Sequence, residues 1–185
     1  MNYDNLKETC VNSKEIFNGV VAHLFIDEII LPNGERSTRE YLKHNGAVAV
    51  LPLDDDGNVY IVKQYRYPFS RVVTEIPAGK LDTPDEDHLE AAMRELREET
   101  GLTSTKVTYL GEYIGSPALL GETIYIYLAE GLSSGKQDLD DDEFLNVEKI
   151  PLKMLVKMVM DGEIADGKTV YAALKVDKLR NEKKN

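Results

Sequence analysis

Residues Gly79–Leu102 read GKLDTPDEDHLEAAMRELREETGL, and this stretch decides the fold. Asp87 has the side chain of an N-cap, and Glu90 three positions later completes a capping box. Leu89, Ala92, Met93 and Leu96 recur at helical spacing and are expected to face a core. Gly101 supplies the left-handed residue that ends a helix, and Leu102 the apolar contact that closes it. The spacing predicts a helix over about residues 88–100.

That helix carries an electrostatic conflict. Glu95 and Glu99 stand four apart on one face, and Glu98 is three from Glu95. Like charges at such spacings repel by roughly 0.2–0.5 kcal/mol per pair. All three lie towards the C-terminal end, where the helix dipole already disfavours anions. A solvated charged face, with Arg94 pairing to Glu98, is one reading. A bound divalent cation is the other, since clustered carboxylate oxygens suit Mg²⁺ or Mn²⁺.

The same residues resemble the signature of the Nudix hydrolases, G-x5-E-x7-R-E-U-x-E-E-x-G-U with U aliphatic. Arg94-Glu95-Leu96-Arg97-Glu98-Glu99-Thr100-Gly101-Leu102 matches its second half, and seven residues lead back from Arg94 to Glu86. Six residues stand between Gly79 and Glu86 where the pattern has five; the extra one falls in the Asp82–Asp85 turn, where an insertion is cheap. The resemblance implies an α/β fold, a Nudix-type α/β/α sandwich with a mixed sheet, and a Mg²⁺ (or Mn²⁺) cofactor. It implies Glu95, Glu98, Glu99 and the Ala78 carbonyl as metal ligands, with Arg94 orienting the glutamates by charge-assisted hydrogen bonds.

Composition limits the partners. The chain has 185 residues, 42% of them hydrophobic, enough for one domain with a small appendage. The net charge of −11, from 33 acidic and 22 basic residues, argues against a protein that grips nucleic-acid backbones. It leaves room for a small phosphorylated substrate, whose charge a metal ion neutralises locally. Cys10 is the only cysteine, so no internal disulfide forms, and a reducing, cytoplasmic setting is expected. The first ten residues lack a basic stretch followed by an apolar run, and no apolar run approaches about 18 residues, so neither a signal peptide nor a membrane span is expected.

Along the chain, residues 1–15 are polar and expected to be poorly anchored. Residues 16–31 and 36–43, separated by Pro32-Asn33-Gly34, read as strands of a small N-terminal antiparallel sheet. Such a sheet is too thin to stand alone, so residues 1–45 are expected to form a dimerisation element and 46–185 the main domain. Residues 46–53 and 59–65 flank Asp54–Gly57 and predict a hairpin. A short strand over 72–76 feeds Pro77-Ala78-Gly79. Residues 107–114 and 123–129 alternate with period two and should pair. An acidic loop over 131–143, a strand over 144–150 and helices over 152–160 and 169–179 complete the reading.

Several further stretches resemble the ADP-ribose pyrophosphatase branch of that family. Ser116-Pro117 lies at the distance past Gly101 where that branch has its own proline, although Ala118-Leu119 departs from its usual SPGF; a plain loop proline is the alternative. Gln64-Tyr65-Arg66 and Glu75-Ile76-Pro77-Ala78-Gly79 match two of its segments, and Arg39 matches an arginine that binds substrate phosphates. The resemblance implies hydrolysis of ADP-ribose to AMP and ribose 5-phosphate by a homodimer. Arg39, Arg66, Ser116 and Pro117 then contact the small-molecule nucleotide. Other nucleoside diphosphate derivatives (sugar nucleotides, NADH, dinucleoside polyphosphates) remain alternatives, as does a sensing module that no longer cleaves. The general base falls in the loop Asp138–Glu143, with Glu143 favoured, Asp141 close behind and Glu98 in reserve. Asp138-x-Asp140-x-Asp142 begins like a calcium loop but has Glu143 where glycine is required and Lys149 where glutamate is required.

Overall fold

The computed structural model describes residues 3–182. In chain order its strands and helices are β1 (Thr9–Asn18), β2 (His23–Ile30), β3 (Arg36–Lys43), β4 (Ala47–Pro52), β5 (Asn58–Arg66), β6 (Arg71–Glu75), β7 (Ala78–Lys80), α1 (His88–Thr100), β8 (Leu102–Tyr113), β9 (Leu120–Gly121), β10 (Ile124–Ser134), β11 (Leu145–Pro151), α2 (Leu152–Met160) and α3 (Gly167–Glu182). Two compact units result. One comprises the chain up to Asn45 together with Ile114–Glu122, the other Gly46–Tyr113 and Thr123 onward.

The first unit is a sheet in the order β1-β2-β3-β9. The β2–β3 turn forms where Pro32-Asn33-Gly34 requires it: Gly34 takes φ +86° and donates to the Leu31 carbonyl at 2.8 Å. Two expectations fail here. Residues 1–15 are not unanchored throughout, because β1 begins at Thr9 and pairs with β2 from Thr9↔Ile30 to Asn18↔His23. The single strand read over 16–31 is two strands joined by a turn in which the Gly19 amide donates to the Ala22 carbonyl. The weak alternation of β1 hid it: all ten of its residues are exposed, so no buried face imposes a period. Ile114–Glu122 joins this unit through β9, which runs parallel to the end of β3.

In the second unit, β7-β4-β10-β8 form a mixed sheet and β11-β5-β6 an antiparallel one. The β10–β4 pair is parallel, and the other pairs of the mixed sheet are antiparallel. Every residue of β4 is buried, and its two faces serve two cores. Val48 and Val50 pack with Ala91, Ala92 and Leu96 of α1. Ala49 and Leu51 pack with Ile61 of β5, Leu155 of α2 and Ala172, Ala173 and Val176 of α3. The α/β layering read from the sequence therefore holds.

The expected hairpin over 46–65 does not form. Its turn is present, with the Asn58 amide donating to Asp54 Oδ1 at 2.8 Å, but beyond the single Leu53↔Val59 bridge the strands enter different sheets. A strand apolar on both faces needs a neighbour on each edge, and β4 finds them in β7 and β10. The loop after β10 is also shorter than expected, because β10 continues to Ser134 against Leu102. Helix α1 matches its expected span, but Leu89 is exposed and Ala91 takes the buried position beside Ala92 and Leu96. Among the described residues no helix is long and apolar enough to cross a membrane.

Candidate active site

Helix α1 is fixed at both ends by the residues its sequence advertises. Asp87 Oδ1 accepts from the Leu89 and Glu90 amides, each at 2.9 Å. Gly101 takes φ +71° and donates to the Arg97 carbonyl at 2.8 Å. The last turns then present three glutamates in three environments. Glu99 is buried at 2% exposure, and its Oε2 accepts from the Ala78 amide at 3.0 Å. Burial, reinforced by the charges of Glu143 and Glu95, pushes the Glu99 carboxyl up to about 8 against the opposing Ala78 hydrogen bond. Burial likewise raises Glu95 to about 7, with Glu98 and Glu143 adding to it and Arg94 opposing. Glu98 is only partly buried.

Arg94 is the hub of this face. Its Nη1 donates to Glu95 Oε1 at 2.7 Å and Glu98 Oε2 at 3.1 Å, and its Nη2 to Glu86 Oε1 at 3.2 Å. The extra residue before Glu86 therefore does not prevent that side chain from reaching Arg94. Arg94 Nε is buried and has no hydrogen-bond partner. Gly79 completes the cradle: a Cβ built there would overlap the Glu95 carboxylate, so any other residue would displace that side chain.

The segment after β10 runs back to the end of α1. The Gly135 amide donates to the Gly101 carbonyl at 2.6 Å, Gln137 Nε2 to the Glu99 carbonyl at 2.5 Å, and the Asp138 amide to the Glu98 carbonyl at 3.0 Å. Beyond it, Glu143 is partly buried and accepts from Gln64 Nε2 at 3.4 Å, whereas Asp141 is exposed. Burial and the neighbouring Asp140 charge raise the Glu143 carboxyl above its ordinary value, while Gln64 and Arg66 pull the other way. Glu143 also contributes to the raised values of both Glu95 and Glu99, so the three carboxylates share one field.

Arg66 and Glu75, both in stretches that motif reading matched, belong to a network whose other members, Lys168, Asp166 and Thr169, it missed. Arg66 donates to Glu75 through Nε at 2.7 Å and Nη2 at 2.9 Å. Glu75 is 3% exposed and also accepts from Lys168 Nζ, which pairs with Asp166 Oδ1 at 3.0 Å. Burial alone would raise Glu75, but Arg66 and Lys168 together hold it below the usual carboxylate range. Thr169 Oγ1 accepts from the Ile76 amide at 2.8 Å and donates to Asp166 Oδ2 at 2.5 Å. The available signal was a lysine in the first turn of α3, where the helix dipole disfavours a cation.

The donor set fits a hard divalent cation. Glu95 and Glu99 sit where burial penalises their charged forms and the Glu143 charge adds to the penalty, which a bound cation would relieve. Among the described residues no three His, Cys, Asp or Glu side chains are already arranged to hold a metal ion. Glu95 and Glu98 each turn an oxygen to the Arg94 guanidinium.

The remaining candidates divide between the units. Arg66 lies beside Glu99 and Glu143 in the second. Arg39, on β3 of the first unit, is gripped through Nε and Nη2 by the Glu8 carboxylate. Ser116 and Pro117, both exposed, belong to the same unit as Arg39.

Comparison with known proteins places this arrangement. A family model described as the NUDIX domain matches residues 43–173. The chain is 43% identical over 170 residues to a Bacillus subtilis protein named ADP-ribose pyrophosphatase, covering 91% of each. It is 38% identical over 168 residues to the "Methanol dehydrogenase activator" of Bacillus methanolicus, covering 90% of each. A solved structure described as an ADP compounds hydrolase superposes with a TM-score of 0.82 over 96% of both chains at 22% identity, which shows that the fold is shared. The match over 43–173 takes in α1, its glutamates, Glu143 and the Arg66–Glu75–Lys168 network, and the chain belongs to the NUDIX family.

Proposed function

We propose that this protein hydrolyses the pyrophosphate bond of ADP-ribose, giving AMP and ribose 5-phosphate, with Mg²⁺ (or Mn²⁺) as cofactor. The observation that carries the reading is the placement of buried Glu99 and largely buried Glu95 one turn apart on α1, where the Glu143 charge raises the proton affinity of both. The name of the B. subtilis relative supports the choice of substrate. Glu95, Glu98, Glu99 and the Ala78 carbonyl hold the cation, and Arg94 orients Glu95 and Glu98. When bound, such a cation supplies charge to the diphosphate oxygens and acidifies the attacking water. Arg39, Arg66 and the Ser116-Pro117 stretch bind substrate. Glu143 takes the proton from the attacking water; its raised proton affinity brings it nearer the working pH, where a general base is most effective. The single cysteine fits a cytoplasmic setting.

The chain works as a homodimer joined through residues 1–45. Support comes from β1, an exposed edge strand whose Val11, Ile16 and Phe17 stand open to solvent, followed by exposed Val20 and Val21. Light scattering at micromolar concentration should give twice the chain mass of 20.8 kDa. A monomeric mass with full activity would overturn this assembly.

The metal site has a signature in stability. The folded values of Glu95 and Glu99, about 7 and about 8, lie above the ordinary 4.5, so the folded state binds more protons and stability falls as pH rises from about 5 to 8. Metal-free protein should therefore lose several degrees of Tm over that range, at roughly 2–4 °C per kcal/mol for this size. Added Mg²⁺ should restore it. Glu99→Gln should flatten both responses and lower turnover by orders of magnitude; normal turnover in that variant would remove the metal assignment.

For the base, Glu143→Gln should lower kcat at least about a hundredfold with metal affinity little changed. A silent Glu143→Gln with an inactive Asp141→Asn would transfer the role to Asp141.

A panel of ADP-ribose, ATP, NAD, sugar nucleotides and dinucleoside polyphosphates tests the substrate. ADP-ribose should exceed ATP and NAD in kcat/KM by at least about tenfold. Equal rates on nucleoside triphosphates would assign a different branch of the family, and cleavage of none would leave a sensing module.

A further inference from the structure

Lys168 is a buried cation to which the reaction above gives no task. It is 8% exposed and sits in the first turn of α3, where the helix dipole opposes its charge. Burying an ammonium group is costly unless it is paired. Its partners are Asp166 on its own side and Glu75 at the end of β6. Glu75 in turn binds Arg66 by two guanidinium nitrogens, Nε and Nη2. The third nitrogen, Nη1, has no hydrogen-bond partner among the described residues. The guanidinium lies close enough to Glu99 and Glu143 to affect the proton affinity of both.

This chain of contacts has a direction. Glu75 reaches from β6, and Arg66 binds both of its oxygens. Lys168 approaches from α3 and donates to Oε2, the oxygen that also accepts from Arg66 Nη2. The neighbouring Thr169 accepts from the Ile76 amide, so the same helix end also holds the turn that leads to Ala78. An apolar residue at position 168 would fill the space without the cost of burying charge. An ionic chain adds orientation: a guanidinium already held at two nitrogens has less freedom to lose when a ligand arrives.

We propose that Lys168 is a positioning residue for phosphate binding, acting through Glu75 to hold Arg66 with Nη1 turned toward a phosphoryl oxygen of the diphosphate substrate. The inference rests on the reading of this site as a diphosphate hydrolase.

Steady-state kinetics of the full chain with ADP-ribose and Mg²⁺ test it. Lys168→Met should raise KM by about tenfold or more and change kcat by less than about threefold, the pattern of lost substrate binding. Lys168→Arg should recover most of the loss. In an Arg66→Ala background Lys168→Met should add nothing further, because residues acting through one another are not additive. A role confined to packing predicts additive effects, and additivity or an unchanged KM overturns the proposal. If Lys168→Met fails to fold, Glu75→Gln keeps the shape while weakening the grip on Arg66, and carries the same test in the same background. Arg66→Ala with an unchanged KM would defeat the reading of the site itself. A raised KM in Arg66→Ala beside a normal one in Lys168→Met would defeat only the role of Lys168.

Discussion

The Glu99 carboxylate is the constraint on which the rest of this structure depends. A carboxyl at 2% exposure with one hydrogen bond among the described residues, from the Ala78 amide, is costly to ionise, and the fold keeps it there. Much else follows from that placement. Residues Ala78 and Gly79 must approach α1 closely, which requires a glycine where a Cβ would strike Glu95. Arg94 divides its guanidinium among Glu86 and the two neighbouring carboxylates, Glu95 and Glu98. A protein gains nothing in stability from such a cluster by itself. The arrangement makes sense as a site whose missing charge comes from a ligand.

A second network, of opposite character, faces it. Glu99 and Glu95 are under-neutralised by protein groups, whereas Glu75 is fully matched by Arg66 and Lys168. Both networks are anchored to the same short segment, Glu75–Gly79. Its beginning is held by α3 through Lys168 and Thr169, and its end by α1 through Glu99. Between them lie Ile76, fully buried in the core, and Pro77, also buried, whose carbonyl accepts from the Val50 amide at 2.9 Å. The segment is therefore fixed by ion pairs at Glu75, by apolar packing in the middle and by the Ala78 hydrogen bond to Glu99 at its end.

How much of this was legible follows from where each signal sits in the chain. The span of helix α1 was legible because its cap and terminating glycine are local, and local rules act on neighbouring residues; its core stripe was legible except at Leu89, which is exposed while Ala91 is buried. The glutamate cluster was legible for the same reason, since the i, i+3 and i+4 spacings put the conflict into the sequence itself. Strand β1 was not, because a strand with both faces exposed has no hydrophobic period to show. The separation of β4 and β5 was not either: a two-strand pattern with a good turn fixes the turn, and only the neighbours of β4 decide which sheet each strand joins. The Glu75–Lys168 pair spans 93 residues, and no spacing rule connects positions so far apart.

The C-terminal end of α1 shows how the fold reconciles local electrostatics with this site. Glutamates at that end meet unpaired carbonyls of the same sign, so the helix should fray where it is most needed. It is the segment after β10 that prevents this. Amides of Gly135 and Asp138 and the side-chain amide of Gln137 donate to the carbonyls of Gly101, Glu98 and Glu99, so three exposed acceptors become three bonds. A Cβ at Gly101 would stand 2.8 Å from the Gly135 carbonyl and 2.9 Å from the Gln137 amide. Gly101 is therefore required twice, by its own φ of +71° and by the closeness of this segment. The same segment continues to Glu143. Capping the helix and carrying a fourth carboxylate whose charge acts on Glu95 and Glu99 thus fall to one continuous stretch of chain.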